Sequence, residues 1–284
     1  MPYSHAPQPT APELPPGPVD IRLVVTDMDG TLLDDDKRVP EGLWETLARL
    51  RERGVLFSPA SGRQYATLAA EFAEVADGMV FIAENGTYVV RDGRELSSDP
   101  LEPGVVAEVV AAVRGRAAGG VDLGAVVCGK RSAYVERADE AFLAEVEQYY
   151  VRCQVVEDLT AVDDDVIKIA LFDFGNAAET AAPALAPFAD THQVVVSGEH
   201  WVDVMNRTAN KGAALRRLQR ELGITPAQTM VFGDYLNDLE MLDAADWSFA
   251  MANAHPEVVR RARHLAPSNN DNGVLRTITR VLDL

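Results

Sequence analysis

The sequence predicts an α/β fold: a parallel sheet flanked by helices, interrupted by a second α/β module. Three observations predict it. Short β-branched apolar runs alternate with amphipathic helical stretches near both ends of the chain, and strand–helix–strand alternation implies parallel strands with right-handed crossovers. The rhythm loosens between about Tyr88 and Val196, where strand pairs and helices follow a pattern of their own. Aspartate-rich turns directly follow predicted strands, the place where open α/β sheets bind ligands.

Taken in order, residues 1–19 hold seven of the sixteen prolines and no lysine or arginine, which predicts a disordered tail. Ile21 to Thr26 reads as a buried strand. Pro40 to Arg53 reads as a helix with Leu43, Leu47 and Leu50 on one face and Gly54 past its end. Val55–Phe57 is a second strand, Gly62 to Val75 a helix, and Met79 to Ala83 a third strand. The inserted stretch gives paired strands near Tyr88–Val90 and Gly93–Leu96 and a helix from Pro103 to Arg116. Strands at Ala125–Cys128 and Ala133–Glu136 and a helix from Asp139 to Tyr150 come next. Strand Val166–Asp173 and a helix from Ala177 to Ala189 close the insert. After a strand at Val202–Met205, the first rhythm resumes with helix Asn210–Leu222, strand Thr229–Phe232 and helix Leu236–Ala244. Strands at Ser248–Met251 and His264–Leu265 and helix Gly273–Leu282 end the chain. The domains expected are a core of residues 20–86 and 197–284 and an insert of residues 87–196.

The 284 residues carry a formal charge of −18, with 47% apolar and 25% charged residues. That composition is globular, and the acid excess excludes a nucleic-acid or anionic-membrane binder, which needs a basic face. It leaves room for a small phosphorylated substrate, because screening lets a local cluster override the global charge. Most of the acids, including Asp34–Asp36 and Asp163–Asp165, read as solvated surface. Cys128 and Cys153 are too few for a disulfide framework. With no apolar run of membrane-span length and no secretory pattern at the start, a cytoplasmic protein is expected. The five histidines show no metal-ligand spacing.

Four constellations carry chemistry. Asp27-Met28-Asp29-Gly30-Thr31-Leu32 follows the first strand, with two carboxylates flanking one residue and a glycine that lets the turn expose amides to an anion. It is not a calcium loop, which needs glycine at its sixth position and glutamate at its twelfth. Ser61-Gly62-Arg63 stands after the second strand at a predicted helix start, a hydroxyl beside helix N-terminal amides. Lys211 opens the helix after Asn210. Gly233-Asp234-Tyr235-Leu236-Asn237-Asp238 follows a later strand and adds carboxylates at its C-terminal end.

In this order, these segments resemble the four motifs of the haloacid dehalogenase (HAD) superfamily of phosphohydrolases, and within it the Cof-type branch. The resemblance covers Ile21 to Leu284. Asp27–Leu33 matches the DxDGT motif, Ser61–Arg63 the SGR form of the second, Lys211 the third, and Gly233–Asp238 the GDxxND motif. Glu84-Asn85-Gly86, Ala250–Ala254 and Asn270–Val274 match further segments of that branch. The resemblance implies a Rossmann-like parallel-sheet core with an inserted α/β cap domain. It implies a magnesium-dependent phosphatase acting on small phosphorylated metabolites, such as sugar, cofactor or nucleotide phosphates. Asp27 would be the nucleophile that becomes an aspartyl phosphate and Asp29 the general acid and base. The Mg2+ ligands would be the Asp27 carboxylate, the Asp29 carbonyl and the Asp234 carboxylate. Ser61 and Lys211 would hold phosphoryl oxygens. Met28, Gly30, Gly62, Arg63, Asn85 and Asn237 are implied phosphate or substrate contacts, and Asp238 a residue that orients a metal-bound water or Lys211.

Within the insert, Lys168, Arg131 and Tyr134 are candidates to touch substrate, against the plainer reading of surface or core residues. Arg63 reaches substrate or pairs with a carboxylate of the insert, and Trp201 reads as packing. Two alternatives stay open. One is a sucrose-, trehalose- or mannosyl-phosphoglycerate-type phosphatase or a phosphomannomutase. The other is a phosphate-binding regulator without turnover, disfavoured because every residue the chemistry needs is present.

Overall fold

β1 (Leu23–Thr26) is buried at every position, as an apolar run covered on both faces must be. The computed structural model describes Val19–Leu284 apart from Gly198, so the expected tail lies, save for Val19, outside the described residues. In chain order β1 is followed by α1 (Leu43–Glu52), β2 (Leu56–Pro59), α2 (Tyr65–Glu71), β3 (Val80–Ala83), β4 (Tyr88–Arg91) and β5 (Arg94–Ser98). Next come α3 (Pro103–Ala118), β6 (Leu123–Gly129), β7 (Ala133–Val135), α4 (Glu140–Glu147), β8 (Cys153–Val155) and β9 (Val166–Asp173). Then come α5 (Ala182–Leu185), β10 (His192–Val196), β11 (Trp201–Asn206), α6 (Lys211–Leu222) and β12 (Thr229–Gly233). The chain closes with α7 (Leu239–Leu242), β13 (Trp247–Met251), α8 (Pro256–Arg261), β14 (His264–Ala266) and α9 (Gly273–Leu282). Among the described residues no helix is long and apolar enough to cross a membrane.

Contacts divide the chain into two units, one running to Phe57 and resuming at Leu222–Leu284, the other Ser58–Glu221. The first is built on a sheet of order β14-β13-β12-β1-β2. β1 pairs in parallel with β12, β12 with β13, and β13 with β14. Leu43, Leu47 and Leu50 form the buried stripe of α1, at the spacing read from sequence, and α9 buries Val274, Ile278 and Leu282.

The second unit holds a six-stranded sheet of order β10-β11-β9-β6-β7-β8, antiparallel except for β7 with β8, and a three-stranded antiparallel sheet β3-β4-β5. Alternate residues of the larger sheet feed two cores. Val127, Ile169 and Leu171 pack with Val106, Val109 and Val113 of α3, whereas Val126, Ala170 and Phe172 pack with Phe142 and Val146 of α4.

Several elements differ from expectation. The third strand was expected in the parallel sheet. It pairs antiparallel with β4 instead, and keeps one parallel bridge, Ala60 with Ile82. The expected insert boundary at 196 falls between β10 and β11, which are hydrogen-bonded neighbours, so the six-stranded sheet continues past it. The helix expected over 177–189 is reduced to α5 and one 3-10 turn, Ala186–Phe188, each with a proline in its first turn. The helix expected from Gly62 starts only at Tyr65, because Ser61–Arg63 bonds to the turn after β3 instead.

Candidate functional site

Two groups of residues carry the expected chemistry, one in each unit. In the first unit the parallel pairing of β1 with β12 sets two acidic loops side by side: the Asp27 N–H donates to Phe232 O at 3.1 Å. Carboxylate oxygens of Asp27, Asp234 and Asp238 lie within 4.8 Å of one another. Asp27 and Asp238 are buried and Asp234 half-buried. Thr31 Oγ1 donates to Asp234 Oδ1 at 2.9 Å.

The turn after β1 winds round the Met28 carbonyl, which accepts from Thr31, Leu32 and Leu33 at 3.3, 3.0 and 2.8 Å. The Met28 side chain is fully buried, and its N–H has no partner among the described residues. Gly30 has φ +80°, and a Cβ there would stand 2.4 Å from Asp234 Oδ2, so both the turn and the neighbouring carboxylate require glycine. Asp29 pairs with Lys37, Nζ to Oδ1 at 2.8 Å.

The loop after β12 is fastened internally. Asp238 Oδ2 accepts the N–H of Asp234 at 3.0 Å and of Tyr235 at 3.3 Å. Asp238 thus shapes the loop that presents Asp234. Asn237 is half-buried in the same 3-10 turn.

The later asparagines have a visible task. Asn253 Nδ2 donates to Gly30 O at 2.7 Å, Asn253 Oδ1 accepts from Asn269 N–H at 3.2 Å, and Asn269 Nδ2 donates to Leu33 O at 3.0 Å. Asp35 is no bare surface acid: it accepts from Asn269 Nδ2 at 3.0 Å and from Asn270 Nδ2 at 2.9 Å, and these bonds hold its carboxyl below the usual range.

In the second unit Ser61 is buried at the end of the segment leaving β2. Its Oγ accepts the Arg63 N–H at 3.2 Å, a local turn in place of the expected helix N-terminus. Arg63 lies 3.5 Å from Glu71 Oε2, a carboxylate on the adjoining helix α2. Asn85 Nδ2 donates to Asp203 Oδ2 at 3.2 Å. Lys211 is 1% exposed at the start of α6, where Asn210 Oδ1 accepts the Ala213 N–H at 2.7 Å. A lysine so buried needs polar company and is not solvated surface.

Of the insert's candidates, Lys168 is a correction: it is 2% exposed within the unit's interior and does not line a surface. The Tyr134 hydroxyl donates to Asp164 Oδ2 at 2.9 Å, and Asp164 also accepts the Arg131 N–H at 3.0 Å. The Asp164 side chain is 3% exposed, so the second acidic run, like the first, contains a structural member. Burial and the Asp164 bond push the Tyr134 hydroxyl up to about 12. Arg131 stays exposed and lines an open cavity of about 560 Å³ with Tyr134, Gln154 and Glu157. Trp201 packs edge-on against Phe172 and Tyr149, at 5.0 and 5.4 Å between ring centres.

Sequence reading missed Lys37, although it had a signal: Lys37 is the cation that closes an acidic run. Lys168 follows its core reading, and it alone interrupts the apolar run from Val166 to Phe172.

Comparison with known proteins adds an independent line. The family described as haloacid dehalogenase-like hydrolase matches residues 24–278. A 5-amino-6-(5-phospho-D-ribitylamino)uracil phosphatase of Escherichia coli K12 is 34% identical over 271 residues, 93% of this chain and 97% of that one. An HMP-PP phosphatase of Cronobacter sakazakii is 29% identical, covering 86% of this chain and 89% of its own. Among solved structures, the SMU.1108c protein of Streptococcus mutans superposes with a TM-score of 0.82 at 25% identity, over 93% of this chain and 100% of that one.

Proposed function

This chain belongs to the haloacid dehalogenase-like hydrolases, in their Cof-type branch, and is a phosphatase; on that footing we propose that it hydrolyses small phosphomonoesters through an aspartyl-phosphate intermediate with Mg2+. The observation that carries the reading is the convergence of Asp27, Asp234 and Asp238 at the C-terminal ends of two neighbouring parallel strands. The donor set suits magnesium, being hard carboxylate oxygen without histidine or cysteine, and buried like charges need a cation between them. The Asp27 and Asp234 carboxylates and the Asp29 carbonyl would hold the ion, which when bound offsets charge on the phosphoryl oxygens.

Asp27 attacks phosphorus in line; the bond from phosphorus to the leaving oxygen breaks, and protonated Asp29 gives that oxygen its proton. Asp29, now a carboxylate, takes a proton from water as the water oxygen attacks phosphorus. The bond between phosphorus and Asp27 breaks, phosphate departs, and both carboxyl groups regain their starting states. The Ser61 hydroxyl, the Lys211 ammonium and the amides of Met28 and Gly62 hold phosphoryl oxygens throughout, which is most of what phosphoryl transfer asks of a protein. Asp238 acts by fixing the Asp234 loop. The insert of residues 87–196, with β11 completing its sheet, supplies the leaving-group pocket and excludes water.

The substrate reading follows the relatives. One of them is by name a phosphatase of a phosphoribitylamino-uracil, so a ribityl monoester on a pyrimidine is the first compound to offer. The test is release of phosphate from an aryl phosphate and then from a panel of phosphomonoesters, with Mg2+ and with EDTA. Turnover dependent on Mg2+ and lost in Asp27→Asn is expected. Wild-type turnover in Asp27→Asn would remove the nucleophile assignment. Isomerised sugar phosphate without free phosphate would mark a mutase, and binding without turnover a regulator.

A further inference from the structure

Three full charges are buried together in the second unit. Lys168, on β9, has its Nζ 2.5 Å from Glu84 Oε2 and 4.0 Å from Asp203 Oδ1. All three side chains are between 1% and 6% exposed. Burial raises both acids, and Lys168 opposes that rise. Burial would lower the lysine, but Asp203 and Glu84 outweigh it and hold the ammonium well above the usual range.

Such a cluster is a poor device for stability alone. Well-packed apolar side chains of similar volume usually do as well or better, and Glu84 Oε1 here accepts no hydrogen bond among the described residues. What the cluster holds is the Ser61–Arg63 segment. Three successive carbonyls of that segment each accept one bond: Ser61 O from Asn85 N–H at 2.9 Å, Gly62 O from Lys168 Nζ at 3.0 Å, and Arg63 O from Glu84 N–H at 3.1 Å. Ser61 N–H donates to Ile82 O, and Arg63 N–H to Ser61 Oγ. Of the segment's three amides only Gly62 N–H has no partner among the described residues. Ser61 O and Gly62 N–H belong to one trans peptide plane and point opposite ways, so fastening the carbonyl fixes the direction of the amide.

The donors on the facing turn are held at a cost. Glu84 and Asn85 have φ of +49° and +57°, left-handed values that non-glycine residues avoid. The side chains that secure this turn are the ones in the cluster: Glu84 on Lys168, and Asn85 on Asp203. Asn85 also sits so close that a Cβ at Gly62 would be 3.1 Å from its Oδ1.

We propose that Lys168 is a positioning residue: locked between Glu84 and Asp203, its ammonium holds the Gly62 carbonyl and anchors the strained turn whose Asn85 N–H fastens the Ser61 carbonyl, and so aims the Gly62 amide at the substrate's phosphoryl group. This rests on the phosphatase reading above. Lys168 touches no reacting atom and acts through Gly62.

The test neutralises all three members, so that no charge is left buried alone. In a Glu84→Gln/Asp203→Asn background, Lys168→Gln keeps a donor at the site and Lys168→Met removes it at similar length. Each is measured for thermal midpoint, for kcat and KM on an aryl phosphate, and for the inhibition constant of inorganic phosphate. With folding matched, the Met variant should lose about 10- to 100-fold in kcat/KM, and its phosphate inhibition constant should rise in step, while the Gln variant recovers most of both. Equal kcat/KM and equal phosphate inhibition in the two variants would overturn the proposal. Failure of both to fold would assign the cluster to stability and also overturn it. A wild-type protein inactive on every phosphomonoester would instead fail the phosphatase reading, a result visible before any variant is made.

Discussion

Thr31 Oγ1 and Asp234 Oδ1, 203 residues apart in sequence, are joined by a hydrogen bond of 2.9 Å. The bond ties the loop after β1 to the loop after β12 and orients the Asp234 carboxylate. Thr31 is 1% exposed, so its hydroxyl has no water to fall back on. Thr31→Val should cost about 1–2 kcal/mol of stability. It should also weaken Mg2+ dependence by roughly tenfold, as loss of a ligand's supporting partner does. Thr31→Ser should behave as wild type. A Mg2+ titration of activity, with denaturant midpoints, checks both.

Gly30→Ala tests the close approach of that turn. The substitution places a Cβ 2.4 Å from Asp234 Oδ2 at a φ of +80°. The conformation alone costs about 1–2 kcal/mol. The larger effect expected is on turnover, because Asp234 must move: a loss of at least about 100-fold in kcat at near-normal fold content, read by steady-state kinetics and circular dichroism. A fully active Gly30→Ala would show that the Asp234 position matters little.

Metal removal has a readout independent of turnover. An ion bound only by the native protein raises the melting temperature in proportion to the logarithm of its concentration above Kd. Millimolar Mg2+ should therefore raise Tm over that in EDTA, and Asp234→Asn should abolish the increment. Identical melting curves for the wild type in the two buffers would sink the assignment.

Acid stability should report a different network. Arg114 Nη2 donates to Asp158 Oδ1 at 2.7 Å and also to Glu136, and Thr160 donates to Asp158 from both its hydroxyl, at 2.7 Å, and its amide, at 2.9 Å. The Thr160 and Arg114 bonds hold Asp158 down to about 2, and Arg114 lowers Glu136. Acids with depressed values stabilise the fold above their unfolded pKa, near 4, and lose that contribution as pH falls through the folded value. Stability should thus decline between about pH 4 and pH 2, with a shallower slope in Asp158→Asn. Denaturant midpoints across that range provide the check.

Legibility in the sequence followed how local the signal was. β1 and the buried stripe of α1 could be read because an unbroken apolar run and a three-to-four residue spacing each have one physical outcome. Pairing partners are not local, so β3 was assigned to the wrong sheet and β11 to the wrong side of a boundary, although both strands were recognised. Pro183 and Pro187 were visible in the segment read as one helix, and their spacing was the evidence against it. The chemical residues were legible as motifs. The residues that hold them, Asn253 on Gly30 and Lys168 on Gly62, were not, because a long side chain's reach depends on tertiary distance.

The register of β1 on β12 has a consequence for synthesis. Leu23 lies opposite Thr229 and Thr26 opposite Phe232, so the strand that leads into Asp27, though it can pair early with β2, waits for β12 until about four-fifths of the polypeptide has been made. A nascent chain arrested before Thr229 has no acidic centre, however well its earlier segments have collapsed. Gain of phosphate-releasing activity should therefore be a late, all-or-none event on the ribosome, and truncations ending just short of β12 should be inert.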